Sequence, residues 1–221
     1  MSAHLKIRPV QAVGKLEKRM RLLTSSAIDR ASEFVQRVGR PLEQAQLRYY
    51  FGDDTVDEVL GELSKFQNDD CGFGHAMEPD IRKPNSSPLC SSIFQKKYNF
   101  MHRCFLYAWG KFCLWTLPRE FWTKLARAAH LAVSENEEDW RGYGGRPLWI
   151  AAAPSSLLAF EFSASVEKQL DFEIESQNAE GGWLPFWSYG DRAAVLQEAT
   201  NEWPGWLTLR NRIAFKSRGR I

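Results

Sequence analysis

The chain of 221 residues is 44% apolar and 25% charged, a composition that supports one globular domain with a substantial core. Its formal net charge of +2 is too small to point to a nucleic-acid partner. The longest apolar run, Cys104 to Leu117, is broken by Lys111 and falls short of the ~20 residues that cross a bilayer, so a membrane-spanning segment is excluded as well.

Residues 1–25 read as an N-terminal extension: the basic stretch Lys6 to Arg21 resembles a transit peptide, but Glu17, Pro9 and Gly14 argue against one. Residues 26–221 read as a single domain. Without a secretory leader, the irregularly spaced Cys71, Cys90, Cys104 and Cys113 are expected as reduced, mostly buried thiols in a cytoplasmic protein.

Ile28, Ala31, Val35 and Val38 keep helical spacing behind the capping candidates Thr24, Ser25 and Ser26, and Gly39 with Pro41 ends that helix. Leu42, Ala45 and Tyr49 predict a short second helix, broken by Gly52-Asp53-Asp54. Thr55 and Glu58 form a capping-box pattern ahead of Val56, Val59, Leu60 and Leu63. After the loop-like stretch Asn85 to Pro88, the segment from about 91 to 147 is unusually aromatic, carrying Phe105, Tyr107, Trp109, Phe112 and Trp115 among cations. Within it Pro118 opens an amphipathic helix whose Trp122, Leu125, Ala129 and Ala132 share a face, and the helix is expected to end near Ser134 to Asp139. Glycines 142, 144 and 145 with Pro147 mark a loop. Helical texture returns at Ser155 to Phe162, again from Val166 through Leu170 and Ile174, and finally from Trp206 through Leu209 and Ile213. The basic tail formed by Arg210, Arg212, Lys216, Arg218 and Arg220 reads as a solvated helix face. Strand-like alternation is scarce, so the fold is predicted to be all-α.

One phrase occurs twice. Gln67-Asn68-Asp69-Asp70-Cys71-Gly72-Phe73 aligns with Gln177-Asn178-Ala179-Glu180-Gly181-Gly182-Trp183, each copy following a helix-like stretch. The pattern predicts equivalent helix-exit turns, with Gly72 and Gly182 supplying positive φ and Phe73 and Trp183 plugging inward. This turn resembles the QW-type repeat of the terpenoid-cyclase and prenyltransferase superfamily. Further resemblance lies in Ala31-Ser32-Glu33-Phe34, Arg40-Pro41-Leu42, Gly74-His75-Ala76-Met77-Glu78-Pro79-Asp80 and Gly205-Trp206-Leu207-Thr208-Leu209. The resemblance implies an α/α hairpin array. A closed toroid of that kind uses about six hairpins, whereas this chain accommodates about four or five, which implies an open or short toroid.

The resemblance also directs attention to acids and thiols. Asp53-Asp54-Thr55-Val56-Asp57 spells DDxxD, a pattern that in ionising prenyl enzymes holds magnesium against a diphosphate. The same acids suit a helix N-terminus, and no second acidic motif accompanies them, so a structural role is expected. A DxDD motif is absent, which leaves proton-triggered cyclisation unsupported. Cys71 with His75, and His102 with Cys104, offer zinc-type ligands at spacings that match no strong zinc signature, and Cys71 is expected as a small packing residue. No metal or cofactor is therefore predicted.

His75, Glu78 and Asp80 are the acid-base candidates, because a base and two carboxylates follow the first turn on one loop; the competing reading is a hydrogen-bonded network joining hairpins. Phe73, Trp183 and Trp187, with Phe186 and Tyr189 nearby, are the candidate substrate-binding aromatics; core packing is their competing role. The leading expectation is a prenyltransferase- or cyclase-like protein acting on an isoprenoid-like apolar substrate. A hydrolase or lyase of a small amphiphile or glycan, and a non-catalytic binding module, are the alternatives. In each case the partner is a small apolar or amphiphilic ligand.

Overall fold

A computed structural model describes residues 20–91, 118–142 and 144–221. Among these residues regular structure is helical, with isolated bridges Gln67 to Phe73 and Val133 to Gly145 and no strand. The all-α expectation is met. Much of the aromatic-rich segment, including His102, Cys104 and Cys113, lies outside the described residues.

Helix α1 (Ser25–Val38) starts where the Thr24 hydroxyl accepts the Ala27 N–H at 3.3 Å. Helix α2 (Pro41–Phe51) has proline in its first turn, where no N–H is needed. Helix α3 (Val56–Ser64) follows Thr55, but the Thr55 side chain makes no cap hydrogen bond, so the expected capping box does not form. Helix α4 spans Arg119–Ala132 and stops earlier than the polar run to Asp139 suggested. Of its apolar face only Ala129 is buried, and Ala132 is exposed. A 3-10 turn covers Glu137–Arg141, and the single turn α5 covers Pro147–Ile150.

Helix α6 (Ser163–Glu175) begins later than the texture from Ser155 implied. Residues 154–162 form successive turns instead, because only Ala159 and Phe162 there are buried and Phe160 stays exposed. Helix α7 (Gln197–Ser217) begins nine residues earlier than the Trp206 start and runs through Pro204. An internal proline costs a helix about 3 kcal/mol. Burial of Trp203 just before it, and close packing of Gly205 just after it, offset that cost.

Helix α1 packs along α7, α2 packs on α3 and α7, and α5 packs on α6. One core gathers Phe162, Leu170, Trp183 and Phe215; a second gathers Leu42, Leu63, Phe73 and Met77. The chain's described ends meet where Leu23 N–H donates to the Arg220 carbonyl at 2.9 Å.

The basic tail is not a solvated face. Arg220 is 1% exposed and binds Asp171 at 2.7 Å and Glu167 at 2.6 Å. Arg212 is 3% exposed, donates to Ser32 Oγ at 2.5 Å and lies over the Phe51 ring. Arg218 donates to the Ala151 carbonyl at 2.6 Å. Arg212 of α7 and the cations just beyond its end, Arg218 and Arg220, therefore serve as ties to α1, the α5 loop and α6.

Candidate functional site

The two repeat turns share one hydrogen-bond plan. Asn68 and Asn178 donate their N–H groups to Gly72 O and Gly182 O at 2.9 and 3.0 Å, and Gln67 and Gln177 donate side-chain amides to Cys71 O and Gly181 O. A hydroxyl on the next helical segment accepts from each aromatic: Ser91 from Phe73 N at 3.4 Å, and Thr208 from Trp183 N at 3.0 Å. Both aromatics are buried as expected. The left-handed residue differs from the expectation, since positive φ falls one position earlier, at Cys71 (64°) and Gly181 (91°). Gly72 and Gly182 are needed for close approach: a Cβ on Gly182 would stand 2.4 Å from the Phe34 ring. Cys71 is exposed, not a packing residue, whereas Cys90 is buried.

The loop after the first turn is tightly tied. His75 is exposed at φ 52°, and its Nε2 donates to Asn68 Oδ1 at 2.8 Å. Arg40 makes a two-pronged contact with buried Glu43 at 2.7 and 2.8 Å and donates to Ala76 O at 2.7 Å. Arg82 joins Glu202 of α7 at 2.9 Å and also pairs with Glu198. Glu78 is buried in this loop. Asp80 instead reaches α7 and the second turn, accepting from Trp203 Nε1 at 2.9 Å and from the Tyr189 hydroxyl. Burial, followed by that bond to Asp80, pushes the Tyr189 phenol up to about 12. The Trp203 ring packs edge-on against Trp187 at 5.2 Å and against Trp206 at 5.1 Å.

Asp80 and Trp187 thus belong to one aromatic ladder, while the His75 ring is held at the first turn. Phe73 sits in the second core, away from the Trp183 core. The DDxxD acids precede or begin α3, and Asp54 accepts from Arg48 Nε at 2.5 Å. Among the described residues no group of three His, Cys, Asp or Glu side chains is arranged to hold a metal ion.

A narrow cleft with a volume of about 20 Å³ opens where α5, α6, the second turn and α7 meet. Trp183, Phe186 and Trp187 line it together with Arg146, Glu173 and Arg210; exposed Trp149 and Leu184 stand at its rim. Its interior is narrow, with room for little more than one water molecule. The floor is polar and buried. Glu173 Oε1 accepts from Arg146 Nη1 at 3.1 Å and Gln169 Nε2 at 2.9 Å, and its Oε2 accepts from Asn211 Nδ2 at 3.1 Å. The Glu173 backbone carbonyl accepts from Trp183 Nε1 at 2.8 Å, so the turn aromatic is anchored to the same helix.

Trp183 and Trp187 were legible as site candidates; Arg146, Glu173 and Arg210 were not. Their one sequence-level signal is the pair Gln169 and Glu173, four residues apart and in register with the apolar positions Val166 and Leu170 of α6. Among the described residues no helix is long and apolar enough to cross a membrane. Comparison with protein-family models, with curated proteins and with solved structures found no match to this chain.

Proposed function

We propose that this protein takes a small apolar or amphiphilic molecule, isoprenoid-like in its branched apolar body, into the cleft between α5, α6, the second turn and α7. The observation that carries this reading is the convergence of Trp183, Phe186 and Trp187 on one concave wall above a polar floor whose Glu173 carboxylate accepts three hydrogen bonds. Pockets for small molecules combine this kind of apolar wall with a few placed polar groups, and the narrow interior leaves the apolar body of the molecule at the open mouth of the cleft. The likeness of the two turns, the pairing of α1 with α7 and the meeting of the chain's described ends support a hairpin array related to the prenyltransferase and cyclase toroids.

On this reading the protein binds first, and chemistry depends on what reaches the bound molecule. Glu173 is saturated by three donors and is a poor proton carrier. Asp80, bonded to Tyr189 and linked through Trp203 to Trp187, is the acid-base candidate connected to the ligand wall. Titration with the C10 alcohol geraniol, followed by tryptophan fluorescence, tests the proposal. Wild-type protein should saturate, and Trp187→Ala should weaken binding at least about tenfold, the loss expected when a contact worth about 1.4 kcal/mol is removed. Absence of saturable binding, or an unchanged affinity in a folded Trp187→Ala protein, would reject it.

A further inference from the structure

The same cleft holds more positive charge than its own residues neutralise. Two guanidinium groups, Arg146 and Arg210, line it with one carboxylate, Glu173. Glu173 is already committed to Arg146, Gln169 and Asn211. Arg146 is 6% exposed, lies over the Phe186 ring at 4.3 Å and donates to the Trp140 carbonyl, yet its buried Nε has no hydrogen-bond partner. Arg210 sits against Trp149 and Trp206 at 5.6 and 5.3 Å from their ring centres. Among the described residues its one hydrogen-bond acceptor is Leu148 O, at 3.1 Å, and it forms no ion pair. An arginine carries five N–H donors in a planar fork, so most of the Arg210 fork is left for something else.

Aromatic faces attract a cation without neutralising it, and a charge withdrawn from water without a counter-ion is costly. The Arg210 guanidinium is half-buried, and burial pulls it down to about 10, with Glu173 partly offsetting the shift and the like charge of Arg146 adding to it. A bound anion would remove the imbalance, and the count of two cations to one carboxylate calls for a single negative charge. A narrow interior favours a flat head over a tetrahedral one. A carboxylate meets all three demands, because it is monoanionic, planar and matched to the guanidinium fork.

We infer that the cleft recognises the carboxylate head of an amphiphile, held by Arg210 with Arg146 behind it, while the apolar body runs along Trp183, Trp187 and Leu184. Glu173 is a positioning residue that fixes Arg146 and leaves Arg210 available. This inference rests on the cleft being the ligand site and adds the identity of the head group.

The test compares three probes of the same branched C10 body, geranoic acid, geraniol and geranyl monophosphate, by calorimetry at neutral pH on the full chain. Wild-type protein should bind the acid at least about tenfold more tightly than the alcohol, with the monophosphate weaker than the acid. Arg210→Gln should reduce acid binding to the level of the alcohol, and Arg210→Lys should restore part of the preference. Equal binding of acid and alcohol by wild-type protein overturns the head-group inference and leaves the apolar cleft standing; failure of all three probes rejects both. A monophosphate that binds more tightly than the acid overturns the carboxylate assignment. The wild-type comparison decides these outcomes even if the Arg210→Gln protein does not fold.

Discussion

Gly205 lies inside α7, where helix propensity alone predicts that alanine would stabilise the protein by about 0.8–1 kcal/mol. Packing predicts the opposite. A Cβ on Gly205 would stand 2.6 Å from Gly39 Cα and 3.0 Å from Gly39 N, at the joint between α1 and α2. Carbon atoms rest at about 3.5–4.0 Å, so α7 would have to retreat by about 1 Å. The opposing atoms are backbone, and no side-chain rotation relieves them. Overpacking of this kind costs about 1–3 kcal/mol, which after subtraction of the propensity gain leaves Gly205→Ala destabilised by about 1 kcal/mol. Gly61 in α3 is the control: a Cβ there would meet nothing within 4 Å, so Gly61→Ala should gain about 0.5–1 kcal/mol. Urea unfolding followed by far-UV circular dichroism reads both, and with a common slope the midpoints should move in opposite directions. In thermal melts each kcal/mol should appear as about 2–4 °C. A Gly205→Ala midpoint that rises with Gly61→Ala would refute the close crossing of α7 over the α1–α2 joint.

The turns make a second pair of expectations. Cys71→Gly should stabilise by about 0.5–1 kcal/mol by relieving the 64° φ, whereas Gly181→Ala, at φ 91° and with its Cβ 2.5 Å from the Arg30 carbonyl carbon, should lose at least about 2 kcal/mol; urea midpoints of like sign would sink the equivalence of the turns. Glu173→Leu strands the buried Arg146 guanidinium and should cost about 3–5 kcal/mol, and a loss below about 1 kcal/mol in the same assay would show that the pair holds little. His130, 40% exposed, lies between Glu161 at 2.9 Å and Glu135 at 3.1 Å, and the Glu161 hydrogen bond, followed by Glu135, raises its pKa above the ordinary value. Its contribution is therefore complete below the unfolded value near 6.5 and is lost as pH rises through the raised folded value. His130→Gln should flatten that part of the stability profile, and an imidazole titrating by NMR at or below the ordinary value would contradict the bridge.

Local chemistry made much of the helical content legible. The spacing of Ile28, Ala31 and Val35, the Thr24 cap and the Pro41 start need only neighbours within a turn or two, and the structure places α1 and α2 where those signals put them. The duplicated turn was legible for the same reason, since its hydrogen bonds close within seven residues. What tertiary structure alone decided is the use of residues whose type points to solvent. Arg212 and Arg220 read as a wet helix face until α7 packs against α1 and α2, and the helix expected from Trp206 starts nine residues earlier, through Pro204, once Trp203 and Gly205 find their contacts. The cleft floor follows this rule: Arg146 lies 27 positions before Glu173 and Asn211 lies 38 after it, distances at which no periodicity carries information. The charge balance of that floor, two guanidiniums against one saturated carboxylate, exists only once three separate segments have been brought together, because burial and pairing are properties of the packed chain and not of any stretch of it.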